Sequence, residues 1–284
     1  MTAEEVGVRL ETGPDGVSVL RWRRGGRRNA FDHALVEALS ERLEELRRKP
    51  PAALVLYGAD GDFSAGADLA DVRALADGTR GRALDYSRRV QDLTAAVEAV
   101  PAPSAAAIEG VCMGLGLEIA LAATVRVAAS DARLGLPEMA HGLYPAAGGT
   151  ARLPEAVGEG RARTLILEGR TLSAREAHEL GLVERLSDPG GALSAGVAWA
   201  RQAAPTGQAA VRLLAARRVA RGEAFERALE AEREGFADLV RTAAVRERLD
   251  AFLAARRKPQ GGAAGRAGPR EGAWVGRGEV PQWP

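Results

Sequence analysis

Two glutamates, Glu118 and Glu138, lie in residues 105–150, each just after a glycine- or proline-bearing turn in a largely apolar run. A carboxylate buried without partners costs several kcal/mol, so acids in such surroundings either cap a helix or take part in chemistry. The chemistry open to them is general acid–base catalysis. Capping is the competing reading. Glu118 falls near a helix start and Glu138 follows Pro137 at a first helical turn, where dipole-neutralising glutamates are common.

The elements that must place these acids follow from hydrophobic periodicity. Val6, Val8 and Leu10 alternate with polar neighbours, and residues 17–22 repeat the pattern after a turn at 13–16, which predicts a β-hairpin. Asp32 is a candidate N-cap for a helix carrying Leu35, Leu39, Leu43 and Leu46 on one face and ended by Pro50 and Pro51. A buried strand is expected at 53–57, then a glycine-bearing loop at 58–69. A helix follows with Tyr86, Val90, Leu93 and Val97 in register. The central stretch reads as a strand at 104–108, a helix at 115–123, a strand at 125–129 and a helical turn at 137–141. Beyond Thr150 the chain is alanine-rich and helical at 157–167, 173–180, 190–203, 211–219 and 223–253, with Ser173 a cap and Gly181 a stop. The expected class is therefore α/β: a core over 1–200, a helical C-terminal subdomain over 201–258, and a disordered tail over 259–284 that includes Trp274 and Trp283.

Composition narrows the function. The 284 residues carry 39 basic and 38 acidic side chains, a balance that argues against a dominant polyanion-binding role. The single cysteine, Cys112, fits a reducing compartment. Neither a secretory signal nor a membrane-spanning run is visible, and a cytoplasmic protein is expected. His33, His141 and His178 show no metal-ligand spacing, Ser64 is not in a nucleophile elbow, and Gly114 and Gly116 lack the third glycine of a dinucleotide fingerprint.

Three motifs in order resemble those of the crotonase, or enoyl-CoA hydratase/isomerase, superfamily. The first is Phe63-Ser64-Ala65-Gly66-Ala67-Asp68-Leu69. The second runs from Ile108-Glu109-Gly110 through Gly114-Leu115-Gly116-Leu117-Glu118. The third is Leu134-Gly135-Leu136-Pro137-Glu138 with Gly142-Leu143-Tyr144-Pro145-Ala146-Ala147-Gly148-Gly149-Thr150, and Leu172-Ser173-Ala174-Arg175-Glu176-Ala177 matches a later signature. The likeness covers residues 5–258.

The resemblance implies a crotonase spiral of ββα units with a C-terminal helical region that packs homotrimers, often doubled to hexamers. It implies an acyl-CoA substrate, no metal and no cofactor beyond the coenzyme A thioester, no membrane association and no nucleic-acid partner. By position, the amides of Ala67 and Leu115 would form an oxyanion hole, and a helix start at Leu115 leaves its N–H free of an intrahelical partner. Glu118 and Glu138 would hold one water between them, as in a hydratase; an isomerase commonly keeps only the second. Arg28 (or Arg27), Ala65, Ala67, Asp68, Leu69 and Leu115 would contact coenzyme A, although Asp68 is equally a candidate N-cap. An RNA-binding role read from the arginine- and glycine-bearing tail is the weaker alternative. Leu115 stands where many members have glycine, Thr124 replaces an aspartate, and Ala243 and Ala244 replace polar residues of the trimer segment.

Overall fold

The expected hairpin forms β1 (Gly7–Thr12) and β2 (Val17–Arg23), antiparallel from Gly7↔Arg23 to Thr12↔Ser18. The structure, a computed structural model, describes residues 7–257. Helix α1 (His33–Arg48) starts where Asp32 accepts from the Leu35 amide at 2.9 Å, and it buries Leu35, Leu39, Leu43 and Leu46. Strand β3 (Ala53–Gly58) joins β2 in parallel, and α2 (Leu69–Ala76) and α3 (Arg80–Ala99) follow.

The next part repeats one unit. Strand β4 (Ser104–Ile108) turns at Glu109 and Gly110 into β5 (Val111–Met113), then α4 (Leu115–Ala122). Strand β6 (Val125–Ala129) turns into β7 (Arg133–Gly135), then a 3-10 turn (Glu138–His141), α5 (Gly149–Val157) and α6 (Glu159–Glu168). Each strand pair thus adds one strand to each of two sheets before a helix closes the unit. Strand β8 (Thr171–Ser173), α7 (Ala174–Glu179), β9 (Arg185–Ser187) and α8 (Ala192–Ala203) complete the core. Ser173 and Glu176 form a reciprocal capping box at α7.

The larger sheet runs β1-β2-β3-β4-β6-β9, parallel apart from the hairpin. The smaller runs β5-β7-β8, and an isolated bridge from Ser64 to Cys112 lays the first motif against β5. Small residues make the larger sheet a close neighbour of α8: a Cβ on Gly196 would come within 3.2 Å of the Ala107 Cβ.

Beyond the core run α9 (Gly207–Leu239) and α10 (Ala243–Arg257). Phe236, Ala237 and Val240 join Val245 and Leu249 in a second apolar cluster with Val72, Leu75, Ala83, Leu143 and Ala146. The C-terminal helices therefore wall the region of the third motif. The helix expected at 157–167 is α6, which starts after Gly158 with φ 84°; α5 before it was not expected. The break expected between 219 and 223 falls at Gly222, whose φ of 59° and ψ of −161° are non-helical, while the single helix expected over 223–253 is divided after Leu239, α10 starting at Ala243. The tail expectation for 259–284, Trp274 and Trp283 included, lies outside the described residues.

Candidate active site

The first motif spends its amides inward, one by one. Phe63 N donates to Glu109 O (2.8 Å), Ser64 N to Val111 O (2.9 Å), Ala65 N to Arg28 O (2.8 Å) and Asp68 N to Phe31 O (2.8 Å). Gly66 N donates to the Ser64 hydroxyl at 3.0 Å, and that hydroxyl donates to Asn29 O at 2.8 Å. Among the described residues, only the Ala67 N–H of this run from Phe63 to Asp68 finds no acceptor. Phe63 pins the loop: it is fully buried edge-on to Trp22, whose indole N–H donates to Phe63 O at 3.0 Å.

The second motif brings a matching donor. Gly114 N donates to Gly135 O, and Gly114 offers no side-chain cap to α4, so the Leu115 N–H opens the helix without an intrahelical acceptor. Gly114 has φ 51° and ψ −126°, a conformation that excludes side chains, and a Cβ there would lie 3.0 Å from Glu138 Oε1. Gly66, at φ 96°, brings the two motifs into contact: a Cβ on it would stand 2.9 Å from Met113 O and 3.6 Å from Gly114 Cα. Two unspent backbone donors, Ala67 and Leu115, thus flank the junction of the two motifs.

Both acids reach the same cavity. Glu118 is 2% exposed and does not cap its own helix; its Oε1 accepts from the amides of Ala147 (2.7 Å) and Gly149 (2.8 Å), at the start of α5. That corrects the capping reading, because the helix it serves is a different one. Glu138 opens the 3-10 turn, and its Oε2 is buried with no hydrogen-bond partner. Burial, with the nearby charge of Glu232, pushes the Glu138 carboxyl up to about 8. Burial first, then Glu232 and Glu138, push Glu118 well above the usual carboxylate range, while its two amide donors pull the other way.

The cavity, about 90 Å³, is lined by Ala65, Gly66, Ala67, Leu69, Leu115, Glu118 and Glu138 together with an apolar wall that includes Val72, Tyr86, Leu143 and Phe236. Asp68 and Arg28 lie outside this lining. Asp68 caps α2 through the Ala70 amide (2.8 Å) and pairs with Arg24 (2.7 Å), so its capping role is met. Arg28 holds Asp62 with two bonds, at 2.8 and 3.0 Å, from a backbone φ of 49°. Burial, and then the charges of Arg28 and Arg27, lower the Arg256 pKa. His141 also lines the cavity, where burial and Arg248 favour its neutral form. No three His, Cys, Asp or Glu side chains among the described residues are grouped to hold a metal ion.

The chain matches the family described as enoyl-CoA hydratase/isomerase over residues 12–262. It belongs to that family. The human enoyl-CoA hydratase domain-containing protein 2, mitochondrial, is 42% identical over 182 residues, covering 63% of this chain and 61% of the relative. This chain therefore spans about three-fifths of the length of that relative. Pseudomonas aeruginosa DspI matches in structure with a TM-score of 0.71 at 36% identity, over 84% of this chain and 96% of that one. An enoyl-CoA hydratase from Bacillus halodurans matches with a TM-score of 0.77 at 23% identity, over 86% and 99%, a likeness of fold. The crotonase fold expected from the motifs is the fold observed.

Against the enoyl-CoA hydratase/isomerase pattern, the departures find local reasons. Thr124 exchanges hydrogen bonds with Ser104, its amide donating to the Ser104 hydroxyl at 3.0 Å and its own hydroxyl accepting from the Ser104 amide at 3.1 Å. Leu115 is buried with the main apolar core and also lines the cavity. Ala243 and Ala244 open α10. No helix among the described residues is long and apolar enough to cross a membrane. Sequence reasoning missed Glu232, which is 3% exposed in α9 and bonded to the same turn as Glu118. Its signal was spacing alone, three residues after Leu229 and four before Phe236.

Proposed function

We propose that the protein adds water across the conjugated double bond of a trans-2-enoyl-CoA, giving a 3-hydroxyacyl-CoA. The observation that carries this reading is that two unspent amides and two buried carboxyls border one apolar cavity. The thioester oxygen would sit between the N–H groups of Ala67 and Leu115, where the α4 dipole adds to the stabilisation of enolate charge.

The two acids divide the work by environment. Two amide donors fix Glu118 Oε1 and offset part of the rise that burial, Glu232 and Glu138 impose on it; in this reading Glu118 takes a proton from water as the water oxygen bonds to C3. Glu138, with an unpartnered Oε2 and a pKa near 8, carries a proton at neutral pH and gives it to C2. One proton is taken and one given, so the sum is one water added without redox change. No group beyond the coenzyme A thioester is needed for that balance. Arg27, Arg28 and Arg256 add positive potential for the coenzyme phosphates, with Asp62 orienting Arg28. Ala65, Asp68 and Leu69 belong to the loop that would wrap the coenzyme.

A double-bond isomerase would use Glu138 alone; the approach of Glu118 to the same cavity favours hydration. The test is loss of the conjugated enoyl absorbance when purified protein meets crotonyl-CoA and longer trans-2-enoyl-CoAs. Turnover supports hydration. Conversion of a 3-enoyl-CoA without any hydration would replace this reading with isomerisation. Assembly as a homotrimer or hexamer, part of the same proposal, is checked by light scattering on the eluted protein.

A further inference from the structure

The turn from Ala147 to Thr150 distributes its amides in strict alternation. Ala147 N and Gly149 N donate to Glu118, at 2.7 and 2.8 Å. Gly148 N and Thr150 N donate to Glu232, at 2.6 and 3.1 Å. Gly148 sits at φ 93°, the left-handed conformation, within this alternation. Glu232 takes two further donors, Gln91 Nε2 at 3.2 Å and the Thr150 hydroxyl. A carboxylate offers about four acceptor sites, so those of Glu232 are filled.

The groups facing Glu232 come from every packed element. Glu118 approaches from α4 and Glu138 from the 3-10 turn, while Tyr144 donates its hydroxyl to the Glu232 carbonyl at 3.1 Å. From α3 comes Gln91, itself held by Arg233 at 2.8 Å. From α5 comes Arg152, whose charge is taken by Glu98 at 2.8 Å. No cation among these bonds to the Glu232 carboxyl. What the carboxyl does hold is the turn on which Glu118 hangs.

We propose that Glu232 is a positioning residue: from the C-terminal helix it grips the alternate amides of the Ala147–Thr150 turn and so fixes the carboxyl of Glu118 at the cavity. A second effect follows from charge: burial raises the pKa of Glu232 itself against the pull of its donors, and where it is ionised it raises the proton affinity of both Glu118 and Glu138. The catalytic half of this inference rests on the hydratase reading; the positional half does not.

Glu232→Gln separates the two. The variant keeps the volume but turns an NH2 group toward at least one amide donor and removes the charge. For hydration of crotonyl-CoA, kcat is expected to fall about 10- to 100-fold with KM little changed, the signature of a lost transition-state interaction. Both limbs of the pH–rate profile should move to lower pH, which a loss of folded protein alone would not cause. Unchanged kcat and unmoved limbs in a folded variant overturn the proposal, as does a loss of activity that only tracks the folded fraction. An independent readout is the nitrogen-15 amide resonances of Ala147 and Gly149, the two donors to Glu118. If the wild type hydrates nothing but these resonances move in Glu232→Gln, the hydratase reading fails and the positioning stands. Unmoved resonances sink the positioning whatever the activity. Should Glu232→Gln not fold, Thr150→Val removes one donor and keeps the amides; a fall in kcat of at least ~3-fold at constant KM is expected, and no fall overturns the proposal.

Discussion

Tyr86 of α3 stacks on Phe236 of α9, with ring centroids 5.9 Å apart and 25° between planes. The pair closes one side of the cavity that holds Glu118 and Glu138. Behind it lies a second cleft of about 350 Å³, lined by Val36, Leu75, Arg82 and Arg89 and again by Tyr86 and Val90. Tyr86 and Val90 are thus shared by the inner apolar space and an outer cleft that also carries Asp32, His33, Asp71 and Asp85. Removing the ring should join them. Tyr86→Ala is expected to raise kcat/KM for decenoyl-CoA relative to crotonyl-CoA by ~10-fold or more, since each methylene newly buried contributes ~0.8 kcal/mol. The ratio of the two substrates in one assay checks this; an unchanged ratio would show that the acyl chain leaves by another route. The same change should cost about 2–4 kcal/mol of stability from lost packing.

The two acids should fail in different ways. Glu118→Gln and Glu138→Gln are each expected to lower hydration of a trans-2-enoyl-CoA by ~10²–10⁴-fold, the usual share of a general acid or base. Only Glu138→Gln should also abolish any migration of a 3-enoyl double bond, because that reaction needs one proton-carrying group. Parallel assays with the two substrates separate the roles.

Glu138 should also make the protein less stable in alkali. Its folded pKa, about 8, lies above the ordinary 4.5, so the folded chain holds this proton more tightly than the unfolded chain does. Stability from this source is complete below pH ~4.5 and is lost as pH rises through about 8. Glu138→Gln cannot ionise, and its gain over wild type is expected to be larger at pH 9 than at pH 5. Urea unfolding of both proteins at the two pH values measures it. An equal difference at both would mean that the carboxyl is solvated and ordinary.

Much of this site was legible as local chemistry. The N-caps at Asp32 and Ser173 use side chains that bond their own neighbours within three residues, and both were visible as spacing. The pairing of Glu118 and Glu138 was legible only through motif likeness, since nothing local says that two acids on different elements meet. Strands β5, β7, β8 and β9 went unread because three residues are too few to show an alternating pattern. Helix α5 was hidden by Gly149 at its start and Pro154 within it. Glu232 was hidden more deeply. It sits in a helix rich in exposed charge, and its burial depends on a turn some eighty positions earlier in the chain.

That turn has a second support, which gives a test in acid. Arg152 is 2% exposed; its Nε holds Glu98 at 2.8 Å and its Nη1 donates to Ala147 O at 3.0 Å, in the turn whose amides hold Glu118. Burial alone would push the Glu98 carboxyl up. The charge and hydrogen bond of Arg152, joined by Arg221 at 2.7 Å, win and hold it below the usual range. A lowered acid contributes stability above its unfolded pKa and loses it as pH falls through the lower folded value. Wild type should therefore weaken steadily as the pH drops below ~4.5. Arg152→Met leaves Glu98 buried with only Arg221 and should cost about 3–5 kcal/mol at pH 7, as broken buried pairs do. Its stability should also fall less steeply in acid, because less remains there to lose. Denaturant midpoints of both proteins from pH 7 to pH 4 decide it: parallel curves would mean that Arg221 alone holds Glu98, and that Arg152 acts on the turn through Ala147.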